Sequence, residues 1–565
     1  MSDMFRGVRG FLSRLKPVRV PDAPARAFRD LWSGDAARGA RLLRGEFEVQ
    51  GSARTLDDWG PTSGPVLWRQ AAHGFAWLRD LRMLGTDAAR VKARDLAEDW
   101  LARGGQEPMA TAPEVAAARI SAWLGHWDFL AATADDGFRR QLLQRMAQDG
   151  RMIAASLPAE AAHRGALVVL KGTIAAAVAL EEEAWLTRAL RFLPGELERQ
   201  FHPDGGHVER SPATQLLALQ DLIEIRNLLN GVGVTSPPQL STALERAGQA
   251  LRLFRHGDMS LALFNGTREE APNMLDVVLA QGLAKGRAPM LLEETGFHRL
   301  AAGRTLIIAD CGAPPPGRAP DAASGLPRGA DRGAHAGTLS FEMSIGRDRL
   351  IVNCGAAPAA DPSWRDALRG TAAHSTLILA DTNSSELREE GLGRRPERVE
   401  IERQEANGAQ WLEVGHDGYR RTHGVVHRRR LYLSETGDDL RGEDVLEPSP
   451  GPDVPFAIRF HLHPGVTAVL QEEEGGVLMR LPGGQGWRFR ARGARIELEE
   501  SIYLAADPRR TNQIVLTADG EGETIQWAIS RVVAPPPPVE APTAEASTTG
   551  TPPAGSSPAG VPTKA

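Results

Sequence analysis

The chain has 565 residues, too many for one hydrophobic core, which predicts two or three domains. Its apolar fraction of 42% and charged fraction of 24% are those of an ordinary soluble globular protein. A formal net charge of −6 argues against bulk attraction to nucleic acid, so an acidic ligand would need a locally basic cleft. The two cysteines, Cys311 and Cys354, are too few for a disulfide framework, and buried free thiols are expected.

The first 29 residues form a basic, amphipathic segment. Charges at Arg6, Arg9 and Arg14 interrupt every possible apolar core of a secretory signal, and no stretch approaches the ~20 apolar residues of a membrane span. A cytoplasmic or membrane-peripheral location is therefore expected. The segment fits a helix lying on an anionic membrane surface, and it also fits a helix packed on its own protein or a frayed terminus.

Residues 30–300 carry a mostly helical apolar period, with short linkers rich in Gly, Pro and Asp between the helices. The clearest stripes are in PVLWRQAAHGFAWLRDLRML, VAAARISAWLGHWDFLAA, RGALVVLKGTIAAAVAL and PATQLLALQDLIEIRNLLNGVG. Many successive helical hairpins without a strict repeat predict a toroid or solenoid of helix pairs.

Residues 301–533 change to short runs of β-type sequence between Gly and Asp turns, such as TLIIADCG, RLIVNCG, STLILAD and FAIRFHLHP. This spacing predicts a large antiparallel sandwich. Residues 534–565 hold almost no bulky apolar side chain, which predicts a disordered tail rich in Pro, Ala, Ser and Thr.

The first cluster of candidate site residues lies in FHPDGGHVERSPATQLL, residues 201–217. A Pro-Asp-Gly-Gly turn precedes His207, Glu209 and Arg210, and Ser211 is placed to cap a helix that begins with proline. A helix start with His, Glu and Arg beside it suits an anionic substrate group. A capped loop whose His207 binds a backbone carbonyl fits the same residues.

The second cluster comprises His335, Asn353 and His374, which flank or enter three predicted strands. Such positions can meet at one edge of a sandwich that faces the helical domain. Two imidazoles and an oxygen ligand make a zinc site conceivable, although Asn is a weak ligand where Asp would be strong.

Several further side chains could contact a sugar. Trp364 could stack on a sugar ring, and Arg365 and Arg369 could pair with its carboxylate, although a solvated basic loop explains them equally well. Tyr419 lies in a loop or hairpin and could donate a proton to a leaving oxygen. The histidines of RFHLHP, His461 and His463, share one strand face and are expected to be structural.

These motifs together resemble the heparinase II/III family of polysaccharide lyases over roughly residues 30–530. The likeness is carried, in chain order, by DGGHVERSP, HAGTLSFE with IVNCG, WRDALRGTAAHSTLIL, HDGYRRTHGVVHRRRL and RFHLHP. It implies an incomplete α/α toroid followed by an antiparallel β-sandwich, with a cleft between them. It also implies β-elimination on a uronate-containing polysaccharide, usually outside the cytoplasm, which would place the chain in the periplasm or cell envelope.

The resemblance also implies residue roles. His207 matches the helical-domain catalytic histidine, with Glu209 beside it, and His374 matches the facing histidine of the sandwich. His335 and His374 align with metal-associated histidines, and carboxylate neutralisation falls to Arg210 with His335 and Asn353. Elimination needs that neutralisation, a base for the C5 proton and an acid for the departing oxygen.

The sequence departs from the family pattern at two positions. Thr214 stands where many members carry a catalytic tyrosine, and Asn353 replaces a metal-site aspartate. Either Tyr419 or a histidine then moves the protons, or elimination is lost. The leading hypothesis is a lyase; the alternative is a catalytically impaired glycan-binding or envelope-polysaccharide assembly protein. A hydrolase using Asp204 and Glu209 ranks last, because two carboxylates in one turn rarely straddle a glycosidic bond.

Overall fold

The computed structural model describes residues 20–26, 28–158, 164–269, 273–283, 285–315, 317, 329–357, 362–449, 454–471, 473, 475–518 and 524–532. The helix predicted in the N-terminal segment falls on residues 1–19, and the predicted tail falls within residues 533–565. Both therefore lie outside the described residues. Across the described ranges, no helix is both long and apolar enough to cross a membrane.

The N-terminal half is helical, apart from one small hairpin of β1 (Glu46–Val49) and β2 (Ser52–Thr55). Its helices are α1 (Ala36–Leu43), α2 (Val66–His73), α3 (Leu78–Leu84), α4 (Asp87–Arg103), α5 (Pro113–Gly125), α6 (Trp127–Leu130), α7 (Asp136–Ser156), α8 (Gly165–Leu180), α9 (Glu183–Gln200), α10 (Pro212–Gly231), α11 (Pro238–Leu253) and α12 (Met274–Gln281). Several of these helices begin at a capping side chain. The side chains of Thr86, Asp135 and Ser211 accept hydrogen bonds from backbone nitrogens in the first turns of α4, α7 and α10.

The helices pack around α8, which contacts α5, α7, α9 and α10. Helix α8 is apolar on nearly every side, as a fully enclosed helix must be. A second part of the core is aromatic, since Trp68, Trp77, Trp100 and Trp123 are all fully buried. The predicted incomplete α/α toroid is confirmed.

The C-terminal half consists of strands with two short helices, α13 (Pro362–Arg369) and α14 (Arg420–His423). Its strands are β3 (Leu291–Leu292), β4 (Phe297–Ala302), β5 (Thr305–Asp310), β6 (Phe341–Ile345), β7 (Asp348–Val352), β8 (Leu377–Leu379), β9 (Val399–Ala406), β10 (Ala409–His416), β11 (Val426–Leu433), β12 (Asp439–Glu447), β13 (Phe456–Leu462), β14 (Thr467–Gln471), β15 (Gly476–Arg480), β16 (Gly486–Arg492), β17 (Ala494–Leu504), β18 (Pro508–Ala518) and β19 (Thr524–Arg531).

These strands form two antiparallel sheets. The nine-stranded sheet has the order β17-β18-β13-β7-β6-β5-β4-β3, with β8 also paired to β13, and the eight-stranded sheet has the order β14-β15-β16-β19-β12-β11-β10-β9. Phe341 and Phe460 of the first sheet pack against Phe489 and Trp527 of the second. The predicted antiparallel β-sandwich is thus confirmed, with its core between the sheets.

The two halves share a buried junction. Phe297 of β4 packs edge-on against Phe254, just after α11, with ring centroids 4.8 Å apart. His256 of the same loop lies 3.0 Å from the carboxylate of Glu342 in β6, and both are fully buried. Apolar packing and a buried hydrogen bond therefore both cross the junction between the two halves.

Candidate functional site

The turn that precedes His207 is fixed by Asp204. Its carboxylate accepts hydrogen bonds from the backbone nitrogen and the hydroxyl of Thr295, both at 2.7 Å. Gly205 has φ +88°, and a Cβ there would come within 2.3 Å of the Arg246 carbonyl. The Gly-Gly turn is therefore required by both backbone conformation and space.

His207 is buried in the helical half. Its Nε2 lies 3.0 Å from the Gln200 side-chain oxygen, and its Nδ1 accepts a hydrogen bond from the Glu209 backbone nitrogen at 3.3 Å. Because Nδ1 accepts, Nε2 carries the proton and donates it to Gln200. Both ring nitrogens thus contact protein groups.

Glu209 lies just before the first turn of α10 and is half-buried. One of its carboxylate oxygens accepts a hydrogen bond from the Thr214 hydroxyl at 2.9 Å. Thr214 occupies the position at which the family resemblance implies a tyrosine. Its short hydroxyl is used to hold Glu209.

Arg210 joins the helical half to the sandwich. Its Nε donates to the Thr295 carbonyl at 2.7 Å, and its Nη2 lies 2.5 Å from the carboxylate of Asp310, at the end of β5. The guanidinium also lies 4.8 Å from the centre of the Phe297 ring. With both partners buried, the Arg210 charge is balanced by a carboxylate of the chain itself.

Asn265 connects the segment of Arg210 to the second cluster. Its amide nitrogen donates to the Arg210 carbonyl at 2.8 Å, and its side-chain oxygen accepts from the backbone nitrogen of His335 at 3.1 Å. Asn265 has φ +44°, a conformation that Asn tolerates better than most residues. A continuous path of hydrogen bonds therefore runs from one predicted cluster to the other.

His335 and His374 contact each other directly. Nδ1 of His335 lies 3.1 Å from Nε2 of His374, whose Nδ1 donates to the Gly370 carbonyl at 2.8 Å. His374 must then accept through Nε2, so His335 is the donor. Burial lowers the pKa of His374 to about 4 and holds that of His335 well below its usual range. Both rings are neutral at neutral pH.

The three residues proposed as zinc ligands are hydrogen-bonded to one another or to the backbone. The facing nitrogens of His335 and His374 share a hydrogen bond, which a zinc ion bound to imidazole nitrogen at about 2.0–2.1 Å would have to replace. The Asn353 oxygen accepts a hydrogen bond from the Ser375 backbone nitrogen at 3.0 Å. Among the residues that the structure describes, no group of three His, Cys, Asp or Glu side chains is placed to hold a metal.

Of the side chains predicted to bind a sugar, one is buried and two lie at the surface. Arg369 is buried, and its guanidinium donates to three backbone carbonyls, those of Ala334, Arg388 and Gly391. It therefore holds together the loops around His335. Trp364 is 41% exposed, and Arg365 pairs with its neighbour Asp366 at 3.0 Å, so these two lie at the surface of α13.

Tyr419 lies in the hydrophobic core of the sandwich. Its side chain is fully buried, and its hydroxyl donates to the Leu377 carbonyl at 2.9 Å. Burial raises its pKa above the usual value of a tyrosine. Tyr503 is also buried and donates to Glu269 at 2.7 Å, whereas Tyr432 lies on the outer face of the eight-stranded sheet.

Sequence reasoning missed three residues that shape this region: Gln200, Asn265 and Glu342. Gln200 holds the His207 ring, and Glu342 binds both His256 and the Asn353 backbone nitrogen. One signal was visible, because Glu342 is a carboxylate inside the apolar strand FEMSI. A charge at such a position requires a buried partner.

Comparisons with known proteins place the chain in a family. A family profile described as "Heparinase II/III-like, C-terminal" matches residues 284–529. FtsZ-localized protein C of Caulobacter vibrioides (strain NA1000 / CB15N) is 32% identical over 525 residues, which cover 88% of each chain.

Solved structures show the same fold at low identity. A heparinase III superimposes with a TM-score of 0.70 at 13% identity, covering 93% of this chain and 89% of that one. A heparan sulfate lyase HepC mutant from Pedobacter heparinus gives 0.61 at 14% identity, covering 93% and 88%. With a profile match across its sandwich, a relative over most of its length and a toroid-plus-sandwich fold, the chain belongs to the heparinase II/III-like family.

Proposed function

We propose that this chain uses the lyase fold as a binding scaffold that localises with FtsZ, and that it does not cleave polysaccharide. One observation carries the proposal: Thr214 stands at the position of the family's tyrosine and is bound to Glu209. The tyrosine hydroxyls of the sandwich core are themselves engaged by protein groups. No tyrosine is left to exchange protons with a sugar at this site.

The state of the histidines supports the same conclusion. His207 donates to Gln200, and His374 is held between His335 and the Gly370 carbonyl. A general base must reach the proton that it removes, within about 2.6–3.2 Å. Each of these rings would first have to break a buried hydrogen bond. The Arg210 charge, which could neutralise a substrate carboxylate, is already balanced by Asp310.

The link to FtsZ comes from the relative that is 32% identical over 88% of both chains and is named an FtsZ-localized protein. A fluorescent fusion of the full chain, imaged together with labelled FtsZ, tests it. We expect the two signals to coincide, and to coincide equally in His207→Ala and His374→Ala variants. A fluorescence distribution of the fusion that does not follow that of FtsZ would contradict the proposal.

The second candidate is a lyase for an acidic, uronate-containing polysaccharide. It is favoured by the presence of His207, Glu209 and His374 at the family's positions and by the path through Asn265 that joins them. Elimination creates a C4–C5 double bond that absorbs ultraviolet light. We expect no absorbance gain on a panel of uronate polymers; a gain that disappears in His207→Ala would establish the lyase instead.

The compartment is a further part of the proposal. A partner of FtsZ fits the expected cytoplasmic or membrane-peripheral location, whereas a lyase for envelope polysaccharide fits the periplasm or cell envelope. Fractionation of cells that carry the full chain separates the two cases. Recovery with the periplasmic fraction would favour the lyase, and recovery with the cytoplasm or the membrane would favour the scaffold.

A further inference from the structure

A groove of about 450 Å³ lies between helix α11 and strand β3, which is one edge strand of the nine-stranded sheet. One wall is a single face of α11, whose side chains recur at intervals of three and four residues: Thr242, Glu245, Arg246 and Gln249. The other wall is the β3 segment, with Pro289, Leu291 and Leu292. The groove therefore runs along the open edge of a sheet.

Leu291 presents free backbone groups to this groove. The backbone nitrogen of Arg299 donates to the Met290 carbonyl at 2.8 Å, so these two residues form a hydrogen-bonded pair of the β3–β4 ladder. Bonded and non-bonded pairs alternate along an antiparallel ladder, so the next pair, Leu291 with His298, is non-bonded. The N–H and C=O of Leu291 therefore point away from β4, and within the described ranges no residue outside the sheet bonds to them.

The available charge inside the groove is negative. The carboxylate of Asp204 is held by Thr295, and the Arg246 guanidinium donates to the Pro203 carbonyl at 2.8 Å. Glu245 is exposed, and its carboxylate makes no hydrogen bond or ion pair with another residue of the described chain. A ligand in the groove therefore meets one carboxylate that no cation of the chain balances.

The segments on the two sides of β3 carry opposite charges. Lys285 and Arg287 are exposed in the loop that leads into the strand, and Glu293 and Glu294 are exposed in the turn that follows it. The groove thus has a basic end before β3 and an acidic end after it. This order gives the site a direction.

Helix α11 follows the same order of charge. Gln249 donates to a backbone carbonyl of the loop before β3, at the basic end. One helical turn earlier, Arg246 reaches the turn of Asp204, which binds Thr295 just after β3. The free carboxylate of Glu245, adjacent to Arg246, therefore lies at the acidic end.

We propose that this groove binds an extended peptide segment of a partner protein, which pairs antiparallel with β3. One peptide residue then exchanges both backbone hydrogen bonds with Leu291, as in other peptides that add a strand to a sheet edge. An antiparallel peptide runs from the acidic end to the basic end. Its basic residues therefore come first and face Glu245, apolar residues follow on the 39% exposed Leu291, and acidic residues come last.

The lining favours a peptide over a sugar chain. Sugar rings bind to the faces of aromatic side chains, and none of the residues that line the groove is aromatic. Strand β3 is only two residues long, so backbone pairing supplies one pair of bonds and the side-chain contacts must supply the rest. The groove includes neither His207 nor His374, so the inference goes beyond the proposed function.

Fluorescence anisotropy of a labelled peptide, titrated with the full chain, measures this binding. The probe is Lys-Lys-Val-Thr-Leu-Thr-Val-Asp-Asp, whose alternating apolar residues suit a strand. We expect saturable binding that weakens by roughly tenfold in Leu291→Pro, which removes the outward N–H and no ladder bond. Glu245→Gln should weaken it by roughly threefold. A probe with the lysines and aspartates exchanged should bind less tightly.

Two control variants match these substitutions. Leu291→Ala keeps the backbone N–H, removes the apolar side chain and should also weaken binding. Its control is Val469→Ala, because Val469 is a 56% exposed apolar residue on β14, an edge strand of the other sheet. The control for Glu245→Gln is Glu98→Gln, at an exposed position of helix α4. Both controls should bind like the unchanged chain.

Three outcomes would overturn the proposal. The first is no saturable binding of the probe by the folded chain. The second is an equal loss in Leu291→Ala and Val469→Ala, which would mean apolar adhesion without a site. The third is equal binding of the two probes with no effect of Glu245→Gln, which would remove the charge order. Localisation with FtsZ is a separate measurement, so failure of this proposal is distinguishable from failure of the proposed function.

Discussion

The guanidinium of Arg210, in the helical half, lies 2.5 Å from the carboxylate of Asp310, in the sandwich, and both side chains are buried. Burial raises the pKa of Asp310, and the Arg210 charge opposes that rise. Each charge of the pair therefore compensates the burial of the other. The pair connects residues a hundred positions apart in the chain.

Asp310→Ala should destabilise the chain by about 3–5 kcal/mol, because it leaves the Arg210 charge buried without a partner. Urea unfolding followed by tryptophan fluorescence measures the change. Glu390→Ala is the control, since its pair with Arg332 is exposed on both sides and should matter by less than about 1 kcal/mol. Equal effects of the two substitutions would show that the Arg210–Asp310 pair does not secure the junction.

Asn265→Ala should loosen the link between the two candidate clusters. The substitution leaves the Arg210 carbonyl and the His335 amide without their buried partners, a penalty of about 1–3 kcal/mol for each group. Hydrogen exchange of the His335 amide reports on this bond directly and should become faster. Unchanged protection of that amide would mean that Asn265 is not its partner in solution.

The pH dependence of stability should include a contribution from His73. Burial lowers its pKa to about 4, partly opposed by Glu107, and its Nδ1 accepts a hydrogen bond from the Trp100 indole at 2.9 Å. In the unfolded chain its pKa is about 6.5. Between these values only the unfolded chain takes up the proton, so the stabilisation is complete above about pH 6.5 and is lost as the pH falls towards 4.

The loss amounts to roughly 3 kcal/mol over the whole range. His73→Gln keeps an acceptor for Trp100 but cannot be protonated. We expect its free energy of unfolding to fall less steeply than that of the unchanged chain between about pH 7 and pH 5. Parallel curves for the two proteins would refute the assignment.

The fold class is readable from the sequence because the apolar period changes once, from that of helices to that of strands, between α12 and β3. Each period is a local property, so residues close in sequence suffice to reveal it. The sequence also suggested that His335 and His374 meet at one sandwich edge, and in the structure Nδ1 of His335 lies 3.1 Å from Nε2 of His374. Both flank short strands whose ends are set by nearby turns.

The partners of the candidate site residues are not readable in this way. Arg210 was expected to face a substrate, and in the structure it faces Asp310, a hundred residues later. Tyr419 lies in the connection between β10 and β11, as the sequence indicated, but its buried hydroxyl donates to the Leu377 carbonyl. Pairings across the junction depend on how two separate domains dock, and no local pattern encodes that.

Both cysteines should be unreactive in the folded chain, although Cys354 has the neighbours of a nucleophile. Its Sγ lies 3.3 Å from Nδ1 of His461, which also accepts from the Ser501 hydroxyl at 2.8 Å. Burial raises the pKa of the Cys354 thiol to about 12 and lowers that of His461 to about 3, so His461 stays neutral and cannot stabilise a thiolate. Cys311 is likewise buried, with a raised pKa.

A colorimetric thiol reagent at mildly alkaline pH measures this reactivity. We expect no fast reaction in the native chain and reaction of both thiols after unfolding. A Thr467→Cys variant, with its new thiol at an exposed position of β14, should react at once and shows that the reagent is active. Fast labelling of the native chain that disappears in Cys354→Ser would mean that Cys354 is an activated nucleophile, because only the thiolate attacks.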